Sequence, residues 1–445
     1  MEMPLTKIVR HGAMAGACLL ATTVFGDYSV YEEGDRKVDF KLTAVGAQFQ
    51  NEDSWFGESE NFLGGDTDDW AEFGVEPGLA FEMGLGGGTF FGEVSGVYTT
   101  TAGDDASGLT IGTDDADDLS IEQGHVGWRM SDVFSGLDDD TVSVSVGRQD
   151  YSIGSGMLIN DGGSDGGTRG GWYLGMHKAF QNSAILKLES KTLKAETFDL
   201  KNNPRSGGTQ GEAMGANLEY AFDAGITLGG TYMVVDPELP DTDDLDVYDM
   251  RASWQVLEGL TLSGEYALEE SDQIDADGWY GQIAYAFSDT AWSPEVSYRY
   301  AQFSGDDPDT EDDERFREIA YGYTDYGSWY QGEIAGNYPL GNGNTSTHML
   351  RVKFQPHEDV TMNVIYYNIT LDEAGPFGEP EVTSDDFGDE VDLTLDWQAT
   401  EKVYVIGVLG MLSPGDAAEE WVSDGETYSG DEDWIYGMLY VSYSL

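Results

Sequence analysis

The sequence predicts an all-β protein, an 18-stranded antiparallel transmembrane β-barrel preceded by an N-terminal signal peptide. Three observations predict it. From about residue 36 onward, polar and apolar side chains alternate strictly over segments of roughly ten residues, the pattern of a strand with two different faces. Very short turns alternate with longer loops rich in Asp, Gly and Ser, the asymmetry of a barrel that crosses a bilayer. Beyond the N-terminus no apolar run approaches the length of a membrane helix.

Composition narrows the class further. The 445 residues carry 21 Lys plus Arg against 84 Asp plus Glu, a formal net charge of -63. Such a surface repels phosphate, so nucleic acid is excluded as a partner. Apolar residues at 40% and aromatics at 12% are too many for a disordered acidic chain, and 59 Gly point to many tight turns.

At the N-terminus, Lys7, Arg10 and His11 precede an apolar stretch over residues 13–25, and Gly26 stands before the polar Asp27. A basic region, a short apolar run and a small residue at the break describe an export signal over residues 1–26, too short to span a bilayer. Cys18, the only cysteine, lies inside it. Residues 27–445 therefore offer neither disulfides nor thiolate ligands.

The strands follow in order at 36–50, 69–83, 88–101, 119–131, 141–150, 170–180, 183–195, 212–222, 225–235, 246–256, 260–270, 278–288, 293–303, 346–356, 359–371, 389–399, 402–412 and 433–445. Residues 390–398 are the clearest case, with Glu390, Asp392, Thr394 and Asp396 on one face and Val391, Leu393, Leu395 and Trp397 on the other. Short turns fall at Gln181-Asn182, Asp223-Ala224-Gly225, Glu258-Gly259 and Thr400-Glu401, among others. The stretch 329–338 also alternates, but counting it as a strand would move every later short turn to the long-loop side. Parity therefore assigns 304–345 to one long extracellular loop, a candidate constriction on the outer side. The last strand ends in an alternating Leu439, Val441, Tyr443 and Leu445. Tyr98, Trp128, Trp172, Trp254, Trp279, Tyr298, Tyr366 and Trp397 recur near strand ends, as interfacial girdles require.

Most carboxylates fall in loops and read as a solvated face. No acidic run has full EF-hand spacing, so neither a metal nor any other cofactor is expected. The scarce basic residues carry more information. Arg129, Lys187, Lys191, Arg251, Arg299, Arg351 and Lys353 fall on polar strand faces, with Asp249, Glu265, Asp392 and Asp396 among the acids sharing them. In a barrel these faces line the lumen, where opposed rows of charge orient polar or anionic solutes. Neighbouring opposite charges that simply pair and stiffen the wall are the alternative. The five histidines show no zinc-ligand pairing, and no nucleophile elbow or phosphate loop stands out, so no enzyme is expected.

Val146-Gly147-Arg148-Gln149, Tyr321-Gly322, the run Ser328-Trp329-Tyr330-Gln331-Gly332-Glu333-Ile334-Ala335-Gly336, His348-Met349-Leu350-Arg351 and Glu390-Val391-Asp392-Leu393 resemble the alginate export family of outer-membrane porins. The resemblance implies an eighteen-stranded outer-membrane barrel that passes an anionic polysaccharide or a related solute, with Arg148 and Arg351 at motif positions. Secreting members line the pore densely with Arg and Lys, whereas this chain has eleven Arg and a strongly acidic balance.

The expectation is a passive porin-type channel in the Gram-negative outer membrane, embedded in lipid and lipopolysaccharide. A polar or anionic saccharide would be its solute, with selectivity set by Arg129, Arg148, Lys187, Arg251, Arg299, Arg351 and Lys353 opposite the acidic rows, and its oligomeric state is left open. The alternatives are a general or cation-selective porin, and a non-conducting barrel serving as adhesin or structural anchor.

Overall fold

The computed structural model describes residues 28–113, 116–137, 139–205, 208, 210–236, 244–322, 330–375, 382–423 and 429–445. The expected export signal lies outside these residues. The strands are β1 (Tyr28–Glu33), β2 (Arg36–Glu52), β3 (Asp69–Leu85), β4 (Gly88–Ala102), β5 (Ala116–Ser131), β6 (Thr141–Gln149), β7 (Phe180–Glu189), β8 (Leu193–Lys201), β9 (Glu212–Phe222) and β10 (Ile226–Asp236). The second half adds β11 (Leu245–Leu257), β12 (Leu260–Glu270), β13 (Asp275–Ala286), β14 (Glu295–Phe303), β15 (Thr345–His357), β16 (Val360–Leu371), β17 (Asp386–Thr400), β18 (Val403–Pro414) and β19 (Trp434–Ser444).

From β2 onward each strand pairs antiparallel with the next, and β19 returns to β2 with Met438 opposite Phe49 and Ser444 opposite Thr43. Eighteen strands, β2 to β19, thus close into one ring. The remaining strand, β1, pairs with the start of β2 where β19 has ended, so it prolongs the wall beyond the ring. The backbone N–H of Leu445 donates to the Leu42 carbonyl and ties down the seam. Closure leaves no free edge and pairs the backbone groups of the wall, the condition for strands in hydrocarbon. Among the described residues no helix is long and apolar enough to cross a membrane.

The two faces of the wall are inverted relative to a water-soluble sheet. Outward-facing Leu409 is 62% exposed, and Leu393, Met250, Leu228, Ile283 and Val441 are exposed with it. Asp392, Glu390, Glu265 and Asp249 are buried on the other face. Apolar side chains outside and carboxylates inside are stable only where the outer solvent is lipid.

The connections between ring strands alternate as expected. One rim carries turns such as 86–87, 190–192, 223–225, 258–259, 358–359 and 401–402; the other carries 53–68, 103–115, 150–179, 304–344, 372–385 and 415–433. One pair of strands is misplaced by the sequence pattern. The expected strands 170–180 and 183–195 are in fact β7 and β8, joined at 190–192, so Gln181-Asn182 belongs to β7 and is no turn. Residues 170–179 complete a 150–179 connection. Their small and aromatic residues mimic alternation, but Gly170 and Gly171 adopt φ +65° and break the strand.

Replacing Leu409 by Arg on this outer face is expected to cost about 2–4 kcal/mol of folding into lipid. Denaturant titration of the barrel in vesicles, followed by heat-modifiable gel mobility, checks it; unchanged stability would mean that Leu409 does not meet hydrocarbon.

Candidate functional site

Two long connections turn into the ring rather than away from it. The 150–179 segment contacts inner-face residues on nearly opposite parts of the wall: Glu72 of β3 accepts from the Tyr173 and Leu174 N–H groups at 3.0 and 3.2 Å. On β5, Glu122 accepts from the Ala179 N–H at 2.6 Å. On β12, Glu265 accepts from the Ser155 hydroxyl. The 304–344 segment is fastened in the same way, with Glu269 of β12 accepting from the Arg317 N–H at 2.9 Å. On β17, Glu390 accepts from the Ile334 and Ala335 N–H groups at 2.8 Å each, and Asp392 from the Glu333 N–H at 3.1 Å. A carboxyl oxygen that accepts from backbone N–H groups anchors a segment without ladder partners, because those donors would otherwise stay unpaired.

The two segments also hold each other. Asn160 and Asp161 donate backbone N–H bonds to the Ala320 carbonyl, Ala320 donates to Leu158 and Gly322 to Gly156, a short parallel pairing away from the wall. Trp172 Nε1 donates to the Asn337 carbonyl at 3.2 Å, and the Tyr173 hydroxyl to Glu333 Oε2 at 3.2 Å. Apolar side chains fill the space around them. Ile153, Met157, Leu158, Ile159, Phe316 and Tyr330 pack with inner-face Phe198, Met233 and Val247. Ile334 and Ala335 pack with Phe49, Ile365 and Tyr367. The half of the lumen next to the long-loop rim is therefore packed and dry, while the half next to the short-turn rim keeps charged side chains partly exposed.

The fully buried imidazole of His177 closes the end of the first segment. Its Nδ1 lies 2.5 Å from Asp165 Oδ1 and its Nε2 3.2 Å from Asp118 Oδ2 on β5. Burial alone lowers its pKa, but the hydrogen bond and charge of Asp165, aided by Glu122, outweigh this and hold His177 above its ordinary value.

The basic residues divide between these halves. In the short-turn half, Arg129 pairs with Glu82 at 2.5 Å and lies over the Phe91 ring. Lys187 Nζ is 3.4 Å from Glu196, lies over the Tyr151 ring, and its side chain is 34% exposed. Lys353 pairs with Glu295 at 3.2 Å, and Asp396 accepts from the Tyr404 hydroxyl at 2.7 Å. Deeper in, Arg251 is bonded to Asp249, Thr231 and Asn217, and the 150–179 segment lies against its guanidinium at Gly154. Gly154 has φ +55°, and a Cβ there would collide with Arg251, so glycine is required on both counts. Arg299 lies over the Tyr330 ring of the 304–344 segment at 4.6 Å.

Four expected positions turn out differently. Lys191 is not on a polar strand face; it occupies the 190–192 turn and pairs with Asp139 at 2.6 Å in solvent, because β7 already ends at Glu189. Arg351 faces inward but does not meet water: it is 1% exposed and bonded to Ser297 and Glu295, since the strands beside it and the inward segments close over it. Arg148 follows the register shift after Gly147 and is folded onto β5, its Nε donating to the Glu122 carbonyl at 2.9 Å. Trp172 likewise belongs to the inward segment and not to an interfacial girdle.

Lys194 escapes the sequence pattern. It sits inward on β8 with Nζ 3.2 Å from Glu196, so Lys187 and Lys194 flank one carboxylate from adjacent strands. The alternation Lys194, Glu196, Phe198 and Leu200 against Ala195, Thr197 and Asp199 carries that information once β8 is given its own register. Nothing in local patterning marks Glu333, Tyr330 or His177, whose partners lie on distant strands.

Against known proteins, residues 240–430 match the alginate export family. No curated protein matches the chain. Among solved structures, the Pseudomonas aeruginosa protein OccK5 (OpdH) superposes with a TM-score of 0.55 at 11% identity, over 92% of this chain and 98% of that one. OccK2 (OpdF) of Pseudomonas aeruginosa gives 0.55 at 16% identity, over 92% and 97%. A doubly substituted OccD1 (OprD) gives 0.58 at 13% identity, over 94% and 98%. At these identities the likeness is one of fold. A closed ring with lipid-facing aliphatics, charges inside and two inward connections thus meets a sequence match over its C-terminal part, and the chain is an outer-membrane barrel of the porin type that is similar to the alginate export family over residues 240–430.

Proposed function

We propose that this protein is a passive channel of the Gram-negative outer membrane for polar or anionic solutes, with a saccharide acid as the best-fitting class. The observation that carries the reading is the division of one closed lumen into a charged half and a constricted half. In the charged half Arg129, Lys187, Lys194 and Lys353 alternate with Glu82, Glu196 and Glu295 around the inner wall. Opposed charges partly open to water give a transverse field that orients hydroxyl-rich or charged solutes. The two inward segments then set the size limit. The long-loop rim faces the outside of the cell and the short-turn rim the periplasm, the orientation usual for such barrels. Lipid and lipopolysaccharide contact the apolar belt.

A second reading, a non-conducting barrel used as an anchor or adhesin, is favoured by one feature: the dry packing of both segments in the long-loop half. A cation-selective pore is the third, supported by the excess of carboxylates. Planar-bilayer recording of the purified barrel separates them. Discrete conductance with anion preference, blocked by uronate oligomers, supports the first; cation preference supports the pore of opposite selectivity, and silence the anchor.

Lys187→Gln combined with Lys194→Gln is expected to shift the reversal potential toward cations, because Glu196 then loses both counter-charges. An unshifted potential at normal conductance would remove these residues from the solute path. Arg351→Gln, by contrast, is expected to leave selectivity near wild type and to lower stability by about 1–3 kcal/mol, through the buried hydrogen bonds it abandons. A large selectivity change with intact stability in denaturant titration would contradict its burial.

A further inference from the structure

Two carboxyl side chains on β17 and one on the 304–344 segment meet in the dry half of the lumen. Glu390 holds the Ile334 and Ala335 N–H groups and Asp392 the Glu333 N–H, while Gly332, at φ +114°, lets the segment approach where a Cβ would strike Glu390. Glu333 folds back so that its Oε2 accepts from Tyr173 and Asn337 at 3.2 and 3.3 Å. All three side chains are buried, with Glu333 1% exposed and Glu390 and Asp392 0%. Asp392 Oδ1 and Glu333 Oε1 find no hydrogen-bond donor among the described residues. Glu390 and Asp392 are two residues apart on β17 and turn their carboxyl groups to the same inner face. The other titratable groups around the cluster are Asp396 on β17, Glu72 on β3, Asp105 of the 103–115 connection, Tyr173, Tyr338 and Tyr436 on β19. None of these is a cation.

We propose that Glu333, Glu390 and Asp392 form a proton-operated latch, which seats the 330–340 segment against β17 while protonated and frees it on ionisation. The proposal rests on the channel reading, since what the latch controls is the width of the lumen. Three buried carboxyls with no cation beside them among the described residues cannot all carry charge; ionisation would set like charges against each other in a medium with little screening. Burial first, and the neighbouring Asp392 second, push Glu333 well above the usual carboxylate range. The sign follows from proton counting. The seated state binds more protons than the freed state, so seating is full at low pH and is lost as pH rises through the raised values. The seated segment is joined to 150–179 through Trp172 and Tyr173, so freeing it also releases those contacts.

The test is bilayer conductance of the full chain between about pH 5 and about pH 9, beside the triple variant Glu333→Gln, Glu390→Gln, Asp392→Asn. The wild type is expected to conduct more as pH rises, the freed population growing up to about tenfold per pH unit for each proton released. The triple variant is expected to stay at the low-pH conductance throughout. A wild-type conductance independent of pH, or an unchanged rise in the triple variant, overturns the latch. Should the triple variant fail to fold, Ala335→Cys in the otherwise native chain supplies the readout. Its labelling by an impermeant thiol reagent, relative to Asp309→Cys on the exposed part of the same segment, is expected to accelerate with pH; a constant ratio overturns the proposal. Deleting 330–340 separates the two readings. A deletion variant that conducts at every pH beside a pH-independent wild type refutes the latch alone, whereas a silent one refutes the channel and the latch with it.

Discussion

The closure of β19 on β2 is the constraint on which the rest of the molecule depends. In hydrocarbon each unpaired backbone group costs several kcal/mol, so a sheet survives there only without edges. Once the ring closes, side-chain alternation has no freedom left: every second residue must meet lipid and the others must face a shared interior. Leu393 and Asp392, neighbours in sequence, end on opposite sides of the wall, one toward lipid and the other in the packed interior, and neither placement would hold if the strand slipped by one residue.

The interior places a second demand on the chain. A ring of eighteen strands is too wide for its own side chains to fill. The described parts of the 150–179 and 304–344 segments pack into it, and they bring backbone N–H groups that need acceptors. Inner-face carboxylates supply them: Glu72, Glu122, Glu269, Glu390 and Asp392 each accept from at least one backbone N–H of an inward segment. The acidity of this chain is therefore not only a solvated surface. Part of it is internal scaffolding, in which carboxyl groups hold the inward segments by directed bonds to backbone N–H groups.

Much of the fold was legible because period-two alternation with one face in lipid is a local signal. The parity of short and long connections protected the strand count even where a boundary was wrong. The β7–β8 error shows what local pattern cannot supply: residues 170–179 alternate but carry glycines at positive φ, and Lys194 lands on the correct face only when the turn moves to 190–192. Inner-face residues such as Ile365, Tyr367 and Ile369 are as apolar as their outward neighbours, because inward segments pack on them. There the alternation fades, and the dry half of the lumen could not be read from the strands.

By itself the sequence determined the all-β wall, the face that meets lipid in the strands outside the β7–β8 pair, and the inward direction of Arg251, Arg299, Arg351 and the carboxylates beside them. These follow from residue type and spacing along one strand. Only the tertiary structure decided which of those charges stay wet and which are covered. That depends on two connections crossing the lumen and on contacts such as Gly154 on Arg251, Tyr330 on Arg299 and Glu333 beside Asp392. Their partners are separated by tens of residues or more, and pairing over such distances leaves no periodic trace in the chain.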